Sequence, residues 1–181
     1  MFHFFADRPI LDFLATIAER GTTDEEKLRT PGDLAEWARQ SRLTDEVVTV
    51  TAEELAAAIE LREAAYRLLG ARIARCPPDE PDRERLNGAA RGPRTVPQLT
   101  SEGVLTRTGT VPALLATLAC DCLELAAGPD GDLLRRCDDA KCTRLFVDRS
   151  RGGRRRWCDM KGCGDRAKAA AYRRRQRREA V

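Results

Sequence analysis

Histidine occurs once in these 181 residues and aromatic residues make up only 5%. No apolar run approaches the ~18 residues that a membrane-crossing helix needs, so no membrane partner is expected. The lone His3 lies among Phe2, Phe4 and Phe5 and reads as a packed or simply N-terminal residue. With so few aromatics, Leu, Ala, Val and Ile must build most of the core. No nucleophile–base pair, phosphate-binding loop or catalytically spaced carboxylate pair can be read, so no enzyme is expected. The first residues lack a basic stretch followed by a long apolar one, so a secretory signal is not expected and the location expected is cytoplasmic. Cysteines stay reduced there, and an organised set of them points to a metal site rather than to disulfides.

The length suits one medium domain and a small one. Apolar residues make up 42% of the chain, enough for a core, and charged residues 34%, above the usual level of about 25%. The net charge of +3 conceals an asymmetry. Residues Arg135 to Arg178 hold 17 Lys and Arg against 5 Asp and Glu, a net of +12; the rest hold 15 against 24, a net of −9. An acidic body with a strongly basic C-terminal quarter points to a polyanion as partner of that quarter.

The fold class expected is mainly α: a helical N-terminal domain with a small β-hairpin over residues 1–131, then a treble-clef-like zinc finger over residues 132–181. Pro9 to Ile17 reads as a short helix with Ile10, Leu11, Phe13, Leu14 and Ile17 on its apolar face. Thr30, Pro31 and Asp33 form a helix start, and the helix that follows buries Leu34, Trp37 and Ala38. Thr51 and Glu54 fit a capping box. Leu55, Ala58, Ile59, Tyr66, Leu69 and Ile73 then share one face of a long helix that Pro77 and Pro78 end. A helix is expected near Arg83 to Ala89, and a hairpin from Gln98–Thr100 and Val104–Thr108. Val111, Leu114, Leu115, Leu118, Cys122 and Leu125 mark a further helix, and Gly128-Pro129-Asp130-Gly131 the domain boundary.

Four of the seven cysteines form two close pairs, Cys137-x4-Cys142 and Cys158-x4-Cys163, in a polar, histidine-free stretch. One zinc ion needs four ligands at tetrahedral corners, a tight turn supplies two from each pair, and the residues between must return the chain. Leu145-Phe146-Val147 reads as a strand, Arg149 to Gly153 as a turn, Arg154 to Trp157 as a return strand, and Cys163 as the start of a helix to about Arg175. With all four positions taken by sulfur, the Zn2+ expected is structural rather than catalytic. Cys122 reads as a small core hydrophobe and Cys76 as partly exposed.

The segments Leu134-Arg135-Arg136-Cys137, Leu145-Phe146-Val147-Asp148-Arg149-Ser150, Arg155-Arg156-Trp157-Cys158 and Cys163-Gly164-Asp165-Arg166-Ala167-Lys168 resemble the CGNR zinc finger, a small bacterial module taken to bind DNA. The namesake tetrapeptide is Cys-Gly-Asn-Arg, and Asp165 replaces its Asn. Leu11-Asp12-Phe13-Leu14-Ala15-Thr16 resembles the opening motif of the helical domain, called ABATE, that precedes the finger in that family, with Ala15 in place of Asn. The resemblance implies a stress-induced transcription regulator.

The partner expected is DNA, held by Arg149, Arg151, Arg154, Arg155 and Arg156 on the hairpin and by Arg166, Lys168, Arg173, Arg174, Arg175 and Arg177 on the last helix. Ala167, Ala170 and Ala171 face the knuckle. RNA fits less well, because no aromatic stacking platform is present. Alternation places Arg155 and Trp157 on one side and Arg154 and Arg156 on the other, with Trp157 packed on the knuckle. The N-terminal domain is expected to sense a small-molecule effector, to form a homodimer, or both; its ligand-binding residues are unknown. Asp12 interrupts an apolar face and needs a partner such as Arg8 or a backbone amide; a structural role such as capping a neighbouring helix is expected, with contact to a ligand as the alternative. Two alternatives are an enzyme with an unrecognised N-terminal site that the finger targets, and a zinc-stabilised adaptor for protein partners.

Overall fold

The computed structural model describes residues 2–45 and 49–179, with side chains except those of Arg174, Arg178 and Glu179. The elements run α1 (Pro9–Leu14), β1 (Ile17–Ala18), β2 (Glu25–Glu26), α2 (Pro31–Gln40), α3 (Ala52–Ala74), α4 (Glu80–Ala90), β3 (Val96–Leu99), β4 (Leu105–Thr108), α5 (Val111–Ala127), β5 (Leu134–Arg136), β6 (Leu145–Val147) and α6 (Asp165–Glu179). Consecutive strands pair antiparallel as three separate two-stranded sheets. The architecture is mainly helical, with a zinc-finger-like end, as the sequence implies. None of the helices among the described residues is long and apolar enough to cross a membrane.

The 23-residue α3 is the axis of the body and packs against α1, α2, α4 and α5. Its start is fixed locally: Thr51 Oγ1 accepts the Glu54 amide at 3.2 Å and the Glu54 carboxylate accepts the Thr51 amide at 2.9 Å. Thr30 and Asp33 make the same reciprocal pair at the head of α2. Ile10, Phe13, Leu34, Trp37, Ala58, Leu69, Leu86, Leu114, Leu118, Cys122 and Leu125 are almost fully buried in one core. Cys122 is the small hydrophobe expected there, and burial pushes its thiol up to about 12.

Four details differ from the expectations, each for a physical reason. The first helix stops at Leu14 instead of Ile17, because Ile17 turns into a short ladder with Glu26. The buried stripe of α3 takes in Leu61, Arg62, Ala65 and Leu68, while Ile59, Tyr66 and Ile73 are only half-buried. Arg62 is tolerated there by complete pairing. It donates to Glu26 at 2.6 and 2.8 Å, to Thr16 Oγ1 at 2.9 Å and to Glu63 at 2.7 Å.

The third difference is Pro97, which sits inside β3 opposite Arg107. The Arg107 amide and carbonyl turn outward to Asp45, so this pair needs no donor from Pro97. The fourth is the finger hairpin. The strand Leu145–Val147 pairs with Leu134–Arg136, and Arg154 to Trp157 is extended but outside any ladder. That segment instead lies along the knuckle, where the Asp138 amide donates to the Arg156 carbonyl at 2.9 Å.

The turn at Gly128-Pro129-Asp130-Gly131 is a 3-10 turn packed on α5. A Cβ at Gly131 would lie 2.9 Å from the carbonyl oxygens of both Leu125 and Ala126, so only glycine fits that approach. Beyond it Leu134 and Leu145, each 1% exposed, complete the core of the body, so the finger hairpin is packed into it.

Candidate metal centre and nucleic-acid interface

Four sulfurs converge at the end of the hairpin. The ligand atoms of Cys137, Cys142, Cys158 and Cys163 all lie within 4.8 Å of one another, and three of the four residues are buried. Cys142 and Cys163 each stand 3.7 Å, sulfur to sulfur, from Cys158. A sulfur tetrahedron around an ion with metal–sulfur bonds of ~2.3 Å has edges of about 3.8 Å, whereas a disulfide would need about 2.05 Å. The donor set fits a metal ion.

Two similar turns aim these sulfurs. In the first, the Asp139 carboxylate accepts the Lys141 amide at 3.1 Å; in the second, Asp159 accepts the Lys161 amide at 3.1 Å. Each Asp sits inside its Cys-x4-Cys span and bends the chain back between the ligands. The β5–β6 ladder brings Cys137 against Arg144, whose carbonyl accepts the Cys137 amide at 3.0 Å. Cys163 comes from a π-helical turn, Met160–Gly164, that leads into α6.

The cluster is electrostatically incomplete as a set of thiols. The hydrogen bond from the Cys158 thiol holds the Cys142 pKa down to about 5. The same contact, with burial, pushes Cys158 far up, and burial with the neighbouring Cys142 charge pushes Cys163 up to about 12. Among Cys142, Cys158 and Cys163 protons favour ionisation of one sulfur at the expense of the other two; a bound dication would remove that conflict. Arg166 donates to Cys163 Sγ at 3.0 Å and to Asp139 at 2.9 Å, so a guanidinium already offsets thiolate charge.

Comparison with protein families assigns both parts of the chain. Residues 7–129 match the ABATE model, described as "Putative stress-induced transcription regulator", and residues 134–176 match the CGNR zinc finger. The chain belongs to the ABATE family. Among curated proteins, none matches it with significant similarity. Both families are of regulator and zinc-finger types and neither is an enzyme family.

Within this ABATE–CGNR chain the basic residues separate into two groups. Arg149 pairs with Asp7 at 2.6 Å and Asp130 at 2.7 Å, fastening the finger to the body. Arg155 stacks over Phe146 with 4.8 Å to the ring centroid and donates to the carbonyls of Trp157 and Cys158, so it holds the knuckle together. Arg156 pairs with Asp138 at 2.7 Å and lies over Trp157. Lys168 reaches Asp165 at 3.3 Å. By contrast, Arg151, Arg154, Arg173, Arg175 and Arg177 are exposed, and their side chains have no partner among the described residues. The side chain of Arg174 lies outside the described set. Ala167, Ala170 and Ala171 are the half-buried face of α6, bordering an 840 Å³ groove beside Trp157.

Three residues of the finger were not singled out by their sequence. Lys141 and Lys161 are exposed, carry no side-chain partner among the described residues, and flank the cluster from inside the two Cys-x4-Cys spans. Asp148 is 1% exposed and accepts from the Ser150 amide and hydroxyl and the Arg155 amide, so it shapes the loop that carries Arg151 and Arg154. Burial acts to raise its pKa, but these hydrogen bonds outweigh it and leave the group lowered. The Asp-x-Ser pattern is the signal. Gly152 and Gly153, at φ +86° and +63°, reverse the chain between those two arginines.

Asp12 has the backbone partners that its position demands: its Oδ1 accepts the amides of Phe5 at 2.9 Å and Ala6 at 3.1 Å. Arg8 turns instead to Asp121, 2.8 Å away. Burial pushes the Asp12 carboxyl up to about 6, although both amide bonds act the other way.

Proposed function

We propose that this protein is a zinc-dependent, DNA-binding transcription regulator. In this reading Cys137, Cys142, Cys158 and Cys163 hold one structural Zn2+, which supplies folding energy to the knuckle and no chemistry. The finger is the DNA-contacting part and the ABATE body the part that senses a ligand or forms a homodimer.

The observation that carries the reading is the pair of exposed, unpartnered arginine groups. Arg151 and Arg154 sit at a loop tip, and Arg173, Arg175 and Arg177 on a helix that extends from the knuckle. Five guanidinium groups without carboxylate partners on so small a module repel one another until an anion joins them, and duplex phosphates supply a regular row of anions. A small-residue inner face on α6 suits close approach to a groove. The body is net acidic, which disfavours phosphate overall.

The test is duplex binding by fluorescence anisotropy across salt concentrations. Each phosphate contact contributes about 0.9 to the slope of log K against log salt, so all five give a slope of about 4–5. Arg151→Ala and Arg175→Ala each lower it by about one contact. Arg155→Ala, which removes a knuckle tie, should change metal retention and stability before it changes the slope. A salt-insensitive affinity refutes the reading.

A further inference from the structure

A cleft of about 430 Å³ opens on the body between the N-terminal segment and α2, lined by Phe4, Asp7, Asp12, Trp37, Gln40 and Arg42 among others. Asp12 is only 7% exposed. Its Oδ1 is taken by two amides, but Oδ2 accepts no hydrogen bond and no cationic group lies within 4.0 Å of the carboxylate among the described residues. Burial weakens the hydration of this carboxylate, and the two amides and the more distant Arg144 offset that only in part, so the group is under-compensated. Beside it Phe4 is 41% exposed, and its ring centroid stands 6.2 Å from that of Trp37. A carboxylate lining a cleft with an exposed aromatic ring beside it is the chemistry that recognises an ammonium group on an apolar body.

We infer that this cleft is a binding site for a small protonated amine carrying an apolar body, with Asp12 Oδ2 accepting from its ammonium group and Phe4 covering the rest. The inference deepens the sensing half of the proposed function and rests on that reading for its biological meaning; the site itself is read from the body alone. Arg42 and Asp7 are the other charged groups that line the cleft, and Arg144 acts on Asp12 from outside it. Arg42 is on the rim, exposed to water and without a side-chain partner among the described residues, and Asp7 lies on the rim as well. Asp7 also accepts from Arg149 of the finger at 2.6 Å, so the cleft and the finger share a residue. An occupant that draws on Asp7 acts on the tie between them.

The experiment is isothermal titration calorimetry on the full chain, without DNA, using phenethylamine hydrochloride as the probe and 2-phenylethanol as its neutral counterpart. The amine should bind saturably at one site per chain, and the alcohol roughly tenfold more weakly or worse. Asp12→Asn, which keeps an oxygen for the two amides, should lose roughly tenfold in amine affinity. Phe4→Ala, a change at an exposed ring, should weaken the amine severalfold with the fold intact. If circular dichroism shows that Asp12→Asn is unfolded, the amine–alcohol contrast and Phe4→Ala decide. Absence of saturable amine binding, equal binding of the alcohol, or a folded Asp12→Asn that binds unchanged overturns the inference. None of these outcomes depends on DNA, so failure of this site and failure of the DNA-binding reading are told apart.

Discussion

Replacing Arg62 by Ala should be among the most damaging single changes in the body. The side chain is 1% exposed in the middle of α3 and makes four hydrogen bonds, two to Glu26 and one each to Thr16 and Glu63. Breaking a buried ion pair by removing one partner costs about 3–5 kcal/mol, most of it the penalty on the charge left behind. The Glu26 side chain is 27% exposed and can recover some hydration, which favours the lower end, about 3 kcal/mol. For a chain of this size that is a fall in Tm of roughly 6–12 °C. Arg62→Met keeps the aliphatic volume and still strands Glu26, so it should be nearly as harmful. Adding Glu26→Gln to it should restore about 1–2 kcal/mol. Burial acts to raise the Glu26 pKa, but Arg62 and the amides of Leu28 and Lys27 overcome this and lower it. The stability it contributes is therefore present above the unfolded value of about 4.3 and is lost as pH falls further. Thermal melts by circular dichroism from neutral to acid pH measure both effects. An Arg62→Ala loss under about 1 kcal/mol, with no closing of the gap at low pH, would refute the network as a stabilising device.

Asp12 has the opposite pH sign. Its folded pKa, raised to about 6, means that stability falls as pH rises from the unfolded value of about 3.9 toward 6. Asp12→Asn should flatten that slope in thermal melts, and an unchanged slope contradicts the burial described here. Leu145→Ala, at a finger position 1% exposed in the core of the body, should cost about 2–5 kcal/mol of global stability while leaving metal content intact. A loss confined to the finger would mean that the two parts are not co-packed. We further propose a division of labour, tested on the full chain: Arg151→Glu with Arg175→Glu should lower duplex affinity strongly and Arg91→Glu with Arg94→Glu in the body should not, with sedimentation showing whether the chain self-associates.

What could be read from sequence follows the range of the interactions. The caps at Thr30 and Thr51 act within four residues and carry their own signatures. The four cysteines are legible because a metal site imposes spacing on otherwise polar chain. The β5–β6 pairing was missed because strands of three residues have too little alternation to compete with the Arg154–Trp157 run, and the register is settled by Leu134 and Leu145 entering the distant core. Arg62 breaks the apolar stripe of α3, and only the position of Glu26, 36 residues away, explains its burial. Composition displayed the arginines of the finger as one basic set. Their separation into Arg149, Arg155 and Arg166, which hold the molecule together, and Arg151, Arg154, Arg173, Arg175 and Arg177, which face solvent, depends on carboxylates and carbonyls brought in by the fold.

The most direct test is zinc content and duplex affinity measured together on the same full-length sample. One zinc per chain is predicted, with duplex binding lost on chelation and regained when zinc is returned. Cys158→Ser should lose both metal and binding, whereas Ser at Cys76, Cys120 or Cys122 should lose neither. A metal-free chain that binds DNA as tightly as the untreated protein, or Cys158→Ser with its full complement of zinc, would contradict a metal-organised DNA-binding finger.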